Sequence, residues 1–446
     1  EGVVVHARAS VELCRPASPY VILRPSRPGA IGLPPPMSLV LDPEQNFTCR
    51  GCGQCCRRSF DIVATPAESQ RLEAANAARW FRESATAAPG TENPVFEYLA
   101  DGLLRIRKRP DGVCGFLSDE NRCRIHEEMG GTAKPLSCQM FPYSFDPVAG
   151  DTRVSINQGC PTVLRNEGRP LEDQRGEIGA LAARWRKASS PADVTLEWVK
   201  GRPLGPELLD TMRWTLRRIL DLHEPTFSLR RNVGRMAALV EDWTRHRVLK
   251  LDAEKFEEYV NLTGEFAVTK PADLKPASPA IGRFLFRGFF FASVVPWASR
   301  GLVTGAGVRL RLRLLRLLLH VHGIGPAFHG LRFGDARRQS LDIDSEPFFG
   351  PAYQVLRAAL ENLGSGRRPV VEELSLSVGC LLVAEHLFLG RASNMGASSA
   401  WIEALLDAHD VTHVDPRSMF GRTLVSLAAP PTPLHLFAAR GAAPAS

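Results

Sequence analysis

Eight of the ten cysteines fall between Cys49 and Cys160, and the first four are compressed into the run Cys49-x2-Cys52-x2-Cys55-Cys56. Thiols at that density must be tied together by disulfides or by a metal, so this run constrains the fold more than any other feature. Gly51 and Gly53 stand between the cysteines. Lacking a Cβ, glycine lets the backbone turn tightly enough for successive sulfurs to face one centre. The other four, Cys114, Cys123, Cys138 and Cys160, arrive from distant turns. A bond between the adjacent Cys55 and Cys56 would be strained, and the short spacings would need several crossed bridges. Clustered cysteines in a reducing compartment more often hold metal, with disulfides or inert thiols as the competing reading.

Tetrahedral zinc takes four nitrogen or sulfur ligands, so eight thiolates suffice for two sites, and a 4Fe-4S cluster also takes four cysteines. The first three cysteines match the opening of the bacterial ferredoxin run C-x2-C-x2-C-x3-C-P, whose fourth position is Ser59 in this chain. A distant residue must then complete the shell, and Cys160, followed by Pro161, is the candidate. The C-x3-C-x2-C spacing of radical methyl-donor enzymes is absent. His126, three residues beyond Cys123, is a candidate nitrogen ligand, weighed against a surface or supporting role.

Compartment bears on the disulfide question. The longest apolar stretch, Gly288 to Ser299, is broken by Pro296 and flanked by Arg287 and Arg300, too short for a membrane span. Residues 1–36 show no secretory leader pattern, so a cytoplasmic location with reduced thiols is expected. The formal charge of +7 is spread along the chain. It permits weak attraction to anionic partners but makes nucleic acid an unexpected one.

A chain of 446 residues has room for two or three domains. Residues 1–36, rich in Pro and Arg, are expected to be a disordered extension, and Met37 resembles a natural start that would make the preceding segment an over-extended reading. Cys14 lies there without an expected role. Residues 37–170 form the expected cysteine-cluster domain, and 171–430 an α-helical domain. Within the latter, apolar positions recur every three or four residues in 206–222, 227–249, 252–264, 351–363, 370–389 and 399–408. Residues 431–446 are expected to be a flexible tail. The fold class is therefore mainly α: a small irregular cysteine-rich metal-binding module packed on an α-helical domain. Within the module, Thr65 as N-cap, Pro66 at the first helical position and Glu68 closing a capping box predict a helix behind the cysteine run.

The segments Phe47-Thr48-Cys49-Arg50-Gly51-Cys52-Gly53-Gln54-Cys55-Cys56, Gly112-Val113-Cys114-Gly115-Phe116-Leu117, Cys123-Arg124-Ile125-His126 and Lys134-Pro135 with Cys138 and Phe141-Pro142 resemble the YkgJ-type CxxCxxCC cysteine-cluster family. Proteins of that family are described as zinc- or iron-chelating. The resemblance implies that Cys49, Cys52, Cys55, Cys56, Cys114, Cys123, Cys138 and Cys160 serve a metal, either Zn2+ or an iron-sulfur cluster. In length and layout the chain is similar to the flagellin lysine-N-methylases, which implies S-adenosylmethionine as methyl donor and a protein substrate. Two departures stand out: Lys134-Pro135 where Arg-Pro is expected, and a longer, glycine-bearing connection from Glu127 to Ala133.

Other features carry less. Gly305-Ala306-Gly307 lacks the third glycine of a dinucleotide loop, since Leu310 stands there. Arg309, Arg313, Arg316 and His320 share one helical face, best read as solvated. His320, His322 and His329 lack nearby cysteine or acidic partners, and Cys380 reads as a small core residue. No Ser/His/Asp order or phosphate loop appears, so catalytic residues stay unassigned.

Overall fold

The computed structural model describes residues 38–57, 62–81, 95–99, 102–109, 112–148, 151–188, 196–222, 228–269, 341–364, 368–389 and 396–412, with Leu434 and Phe437. The N-terminal extension with Cys14, the Gly288–Ser299 stretch, the Gly305-Ala306-Gly307 turn, the arginine stripe from Arg309 to His320, His322, His329, and the tail except those two residues lie outside the described residues.

The cysteine-bearing half is built from short strands and short helices. Strand β1 (Leu39–Val40) runs parallel to β7 (Asp151–Ile156), which pairs antiparallel with β6 (Tyr143–Val148). Strand β2 (Asn46–Phe47) pairs with β8 (Arg169–Pro170), and β5 (Leu104–Ile106) lies between β3 (Val63–Ala64) and β4 (Phe96–Tyr98). Two apolar cores result. One gathers Phe47, Leu136, Phe145, Ile156 and Cys160; the other gathers Ile62, Leu72, Phe96, Ile106, Cys114 and Phe116. The hairpin of β6 and β7 is more regular than the irregular module expected. Tyr143 and Phe145, then Val154 and Ile156, alternate with polar residues, the period that a half-buried strand requires.

Helix α6 (Arg175–Ala188) inserts Ile178 and Ala182 into the first of these cores. Beyond it come α7 (Pro206–Leu220), α8 (Leu229–Trp243), α9 (His246–Leu249), α10 (Ala253–Thr269), α11 (Phe349–Glu361), α12 (Val370–Leu389) and α13 (Ala397–Thr412). Each expected helical window overlaps one of these helices, and the 227–249 window holds two, α8 and α9. In α7 the buried Leu208, Met212, Leu216 and Ile219 recur at helical spacing, so one stripe meets α8 and α10. Trp198, Trp243 and Trp401 are fully enclosed in the shared core, and Cys380 is buried in α12 as a core residue. No helix among the described residues is long and apolar enough to cross a membrane.

Polar contacts tie the halves together. Arg357, itself buried, pairs with Asp42 and donates to the Glu44 carbonyl at 3.2 Å. Arg217 meets Glu44 at 2.6 Å, and Arg153 meets Asp210 at 2.6 Å. The buried Gln158 side chain donates to the Val355 carbonyl in α11 at 2.9 Å. These contacts fix the strands and loops around the cysteines against the helical wall.

Candidate metal centre

Helix α1 (Gln54–Arg57) starts inside the cysteine run, because Gly51 and Gly53 both adopt positive φ and turn the chain into it. At Gly53 the constraint is steric as well as torsional: a Cβ there would lie 2.8 Å from the Asn121 carbonyl oxygen. Cys123 and Cys160 each immediately precede a short helix, α3 (Arg124–Met129) and α5 (Pro161–Leu164), while Cys138 lies within α4 (Leu136–Met140).

Helix α2 (Pro66–Ala74) braces Cys138 from behind. Its capping box forms as expected: the Glu68 N–H donates to Thr65 Oγ1 at 3.3 Å and the Thr65 N–H to Glu68 Oε2 at 2.9 Å. The second carboxylate oxygen accepts the Leu136 N–H at 2.8 Å, so one buried side chain caps both α2 and the helix that carries Cys138. Ser137 Oγ adds a bond to the Val63 carbonyl at 2.7 Å. Glu68→Ala is expected to cost about 2–3 kcal/mol, because it removes a cap and strands a buried N–H. Urea denaturation measures that loss, and unchanged stability would show that Leu136 finds another acceptor.

All eight cysteines of the 49–160 span line one cleft of about 280 Å³. Cys49 and Cys52 are exposed at its mouth, Cys114 and Cys160 are buried, and the other four lie between these extremes. All eight are free thiols. The Cys55 and Cys56 sulfurs stand 4.0 Å apart, close to the roughly 3.8 Å edge of a tetrahedral site with metal–sulfur bonds near 2.3 Å. Among the described residues, no three His, Cys, Asp or Glu side chains already form a metal-holding group. Closing a coordination shell therefore requires these thiols to rotate inward. His126 lines the same cleft with its ring near Gly131.

Electrostatics define what the cleft needs. A hydrogen bond with Cys56, then burial, holds the Cys55 thiol well above its usual range, and a hydrogen bond with Cys114 does the same for Cys56. Burial raises Cys52, Cys123 and Cys138, and pushes Cys160 up to about 11. Thiolates crowded together in a low-dielectric cleft repel one another, so the protons stay unless a cation replaces them. Lys134 works the other way, favouring the thiolates of Cys55, Cys123 and Cys138. A donor set of soft thiols, crowded enough to need a cation and served by a neighbouring ammonium group, fits zinc or iron.

The pH dependence follows in sign. Without metal, the raised thiol values favour the folded protein below about pH 9, and that contribution is lost as pH rises through about 11 for Cys160. With metal, ionisation helps ligation, so affinity rises with pH and falls in acid. Thermal melts from pH 7 to 10 should show stability falling above about pH 9 in chelator, while metal titrations over the same range show tightening. Parallel trends would contradict this account of the thiols.

Sequence reasoning placed all eight cysteines in one group, and the fold brings them to one cleft. It missed the second role of Glu68 and the reach of Lys134, which had stood out only as a departure from Arg-Pro. Residues 48–161 match a family model described as "CxxCxxCC: Putative zinc- or iron-chelating domain". No curated protein and no solved structure matches the chain.

Proposed function

We propose that the cleft chelates zinc or iron through the thiolates of Cys49, Cys52, Cys55, Cys56, Cys114, Cys123, Cys138 and Cys160, and that this centre is where the chain acts. One observation carries the reading: cysteines from separate loops, β-bridges and helices, all free, line a single cleft. The match of residues 48–161 to a zinc- or iron-chelating domain supports it. The residues supply ligands, a nearby ammonium in Lys134 and an apolar surround from Phe116, Ile106 and Phe141. A bound ion or cluster would supply Lewis acidity or electron transfer according to its identity.

Two forms of the centre have specific support. The ferredoxin-like opening favours a 4Fe-4S cluster, and a cleft lined by free thiols suits tetrahedral Zn2+, which takes four sulfurs per ion. Purification without oxygen, followed by quantification of iron, sulfide and zinc against protein, separates them. Iron with equimolar sulfide supports the cluster, zinc without sulfide supports the ion, and none of the three overturns the chelating function.

The finer reading, a lysine-N-methylase-like enzyme using S-adenosylmethionine on a protein substrate, rests on the similarity of layout. Its check is the loss of a methyl-lysine from the proteome of a deletion strain. Redox sensing draws support from the exposure of Cys49 and Cys52, the thiols an oxidant meets first.

A further inference from the structure

The segments that carry the eight thiols are held by two frames, and we infer that the cleft holds two metal centres: an inner one on Cys56, Cys114, Cys123 and Cys138, and an outer one on Cys49, Cys52, Cys55 and Cys160. This rests on the metal-chelating reading above and specifies how the ligands divide.

The inner set shares one frame. The Cys114 N–H donates to the Cys56 carbonyl at 2.8 Å, Leu117 and Cys123 form an antiparallel bridge, and the Arg124 N–H donates to the Phe116 carbonyl at 2.9 Å. Cys138 joins through the Ser137 bond to Val63 and the Glu68 cap on α4. All four pack on the core of Ile62, Leu72, Phe96 and Phe116.

The outer set has a different frame. Asn46 and Phe47, which lead into Cys49, pair with Pro170 and Arg169 in the return after Cys160. The Asn46 N–H donates to Asn166 Oδ1 at 2.8 Å, and Gln174 Nε2 donates to the Phe47 carbonyl at 2.9 Å. A Cβ on Gly168 would lie 2.4 Å from the Thr48 nitrogen, so these two stretches touch at their backbones. Cys160 belongs to the other core, with Phe47, Leu136 and Phe145.

Cys55 and Cys56 are where the sets meet. Their 4.0 Å separation does not decide between sharing and splitting, since neighbouring residues hold their sulfurs close in either case. Backbone bonding and packing assign Cys56 to the inner set: its carbonyl accepts the Cys114 N–H at 2.8 Å and it packs with Cys123 and Cys138 on the same core, which leaves Cys55 to complete the outer four. Four thiolates around each divalent ion leave a net negative charge, and Arg50, Arg122 and Lys134 line the same cleft to offset it.

The outer centre faces solvent through Cys49 and Cys52 and sits beside the helical wall. Gln54 Nε2 meets Glu403 of α13 at 3.3 Å, and Gly159 approaches His409 of the same helix. It is therefore the labile centre and the one that helix α13 senses.

Native mass spectrometry of the full chain, purified without oxygen and then challenged with EDTA, tests this. The expected result is two zinc ions or two clusters per chain, half of them lost in a fast phase. Cys49→Ser and Cys160→Ser should each retain a single centre and lack the fast phase, with unchanged far-ultraviolet circular dichroism. Cys138→Ser, where it folds, should retain the fast-exchanging centre alone; if it does not fold, the two outer variants and the EDTA phases still decide. One centre in the parent chain, or loss of both in Cys49→Ser, overturns the division while leaving chelation intact. A folded parent chain with no bound metal overturns chelation itself.

Discussion

Stripping the metal with a chelator should lower the unfolding transition of the cysteine module by more than about 20 °C while leaving that of the helical core in place. Thiolate sites that do not exist in the unfolded chain return their binding free energy as folding free energy, about 10 kcal/mol or more for a structural zinc site. For a domain of this size, each kcal/mol moves the midpoint by about 2–4 °C. Without metal the module rests on two small cores, and its strands are no longer than six residues among the described elements. The helical core is separate, centred on Trp198, Trp243 and Trp401. Calorimetry with and without EDTA measures the shift. An unmoved first transition would mean that the thiols contribute nothing to folding through metal.

Breaking the ion pair inside the helical core is expected to have the second largest effect. Arg230 meets Glu385 at 3.0 Å with side chains 6% and 0% exposed. Two further guanidinium hydrogens reach the Phe437 carbonyl at 2.9 Å and the Leu341 carbonyl at 3.1 Å, and the Leu341 N–H donates to Glu385 at 3.0 Å. The guanidinium also lies over the Phe437 ring. Glu385→Gln leaves that cation without its counter-charge, which costs about 3–5 kcal/mol. Replacing both residues by apolar ones of similar volume, Arg230→Met with Glu385→Leu, should recover most of the loss, because the pair is worth less than the penalty of orphaning one member. Urea denaturation measures both variants. Metal content should not change, since the pair lies in α8 and α12; a parallel loss of metal would show that the two halves unfold as one unit.

The helical half was legible because its signal is local and periodic. Leu208, Met212, Leu216 and Ile219 announce one buried stripe, and Thr65, Pro66 and Glu68 announce a helix start, without knowledge of anything distant. The cysteines were legible as a group because density and spacing are themselves the signal. What stayed hidden depends on partners far along the chain. Glu68 reads as a capping residue, and nothing local says that its other oxygen meets Leu136. Lys134 reads as a departure from a motif until the fold turns it toward three thiols. The division of the cysteines follows from pairings such as Phe47 with Arg169, which two-residue strands do not advertise. Short strands carry too few alternations for period two to show, so even the hairpin of β6 and β7 was hard to separate from turns.

X-ray absorption at the edge of the bound metal examines the sulfur shell itself. Thiolate chelation predicts a first shell of sulfur near 2.3 Å, about four per metal, that weakens when Cys114 or Cys160 is replaced by serine. A shell dominated by oxygen or nitrogen, or one indifferent to those substitutions, would contradict it.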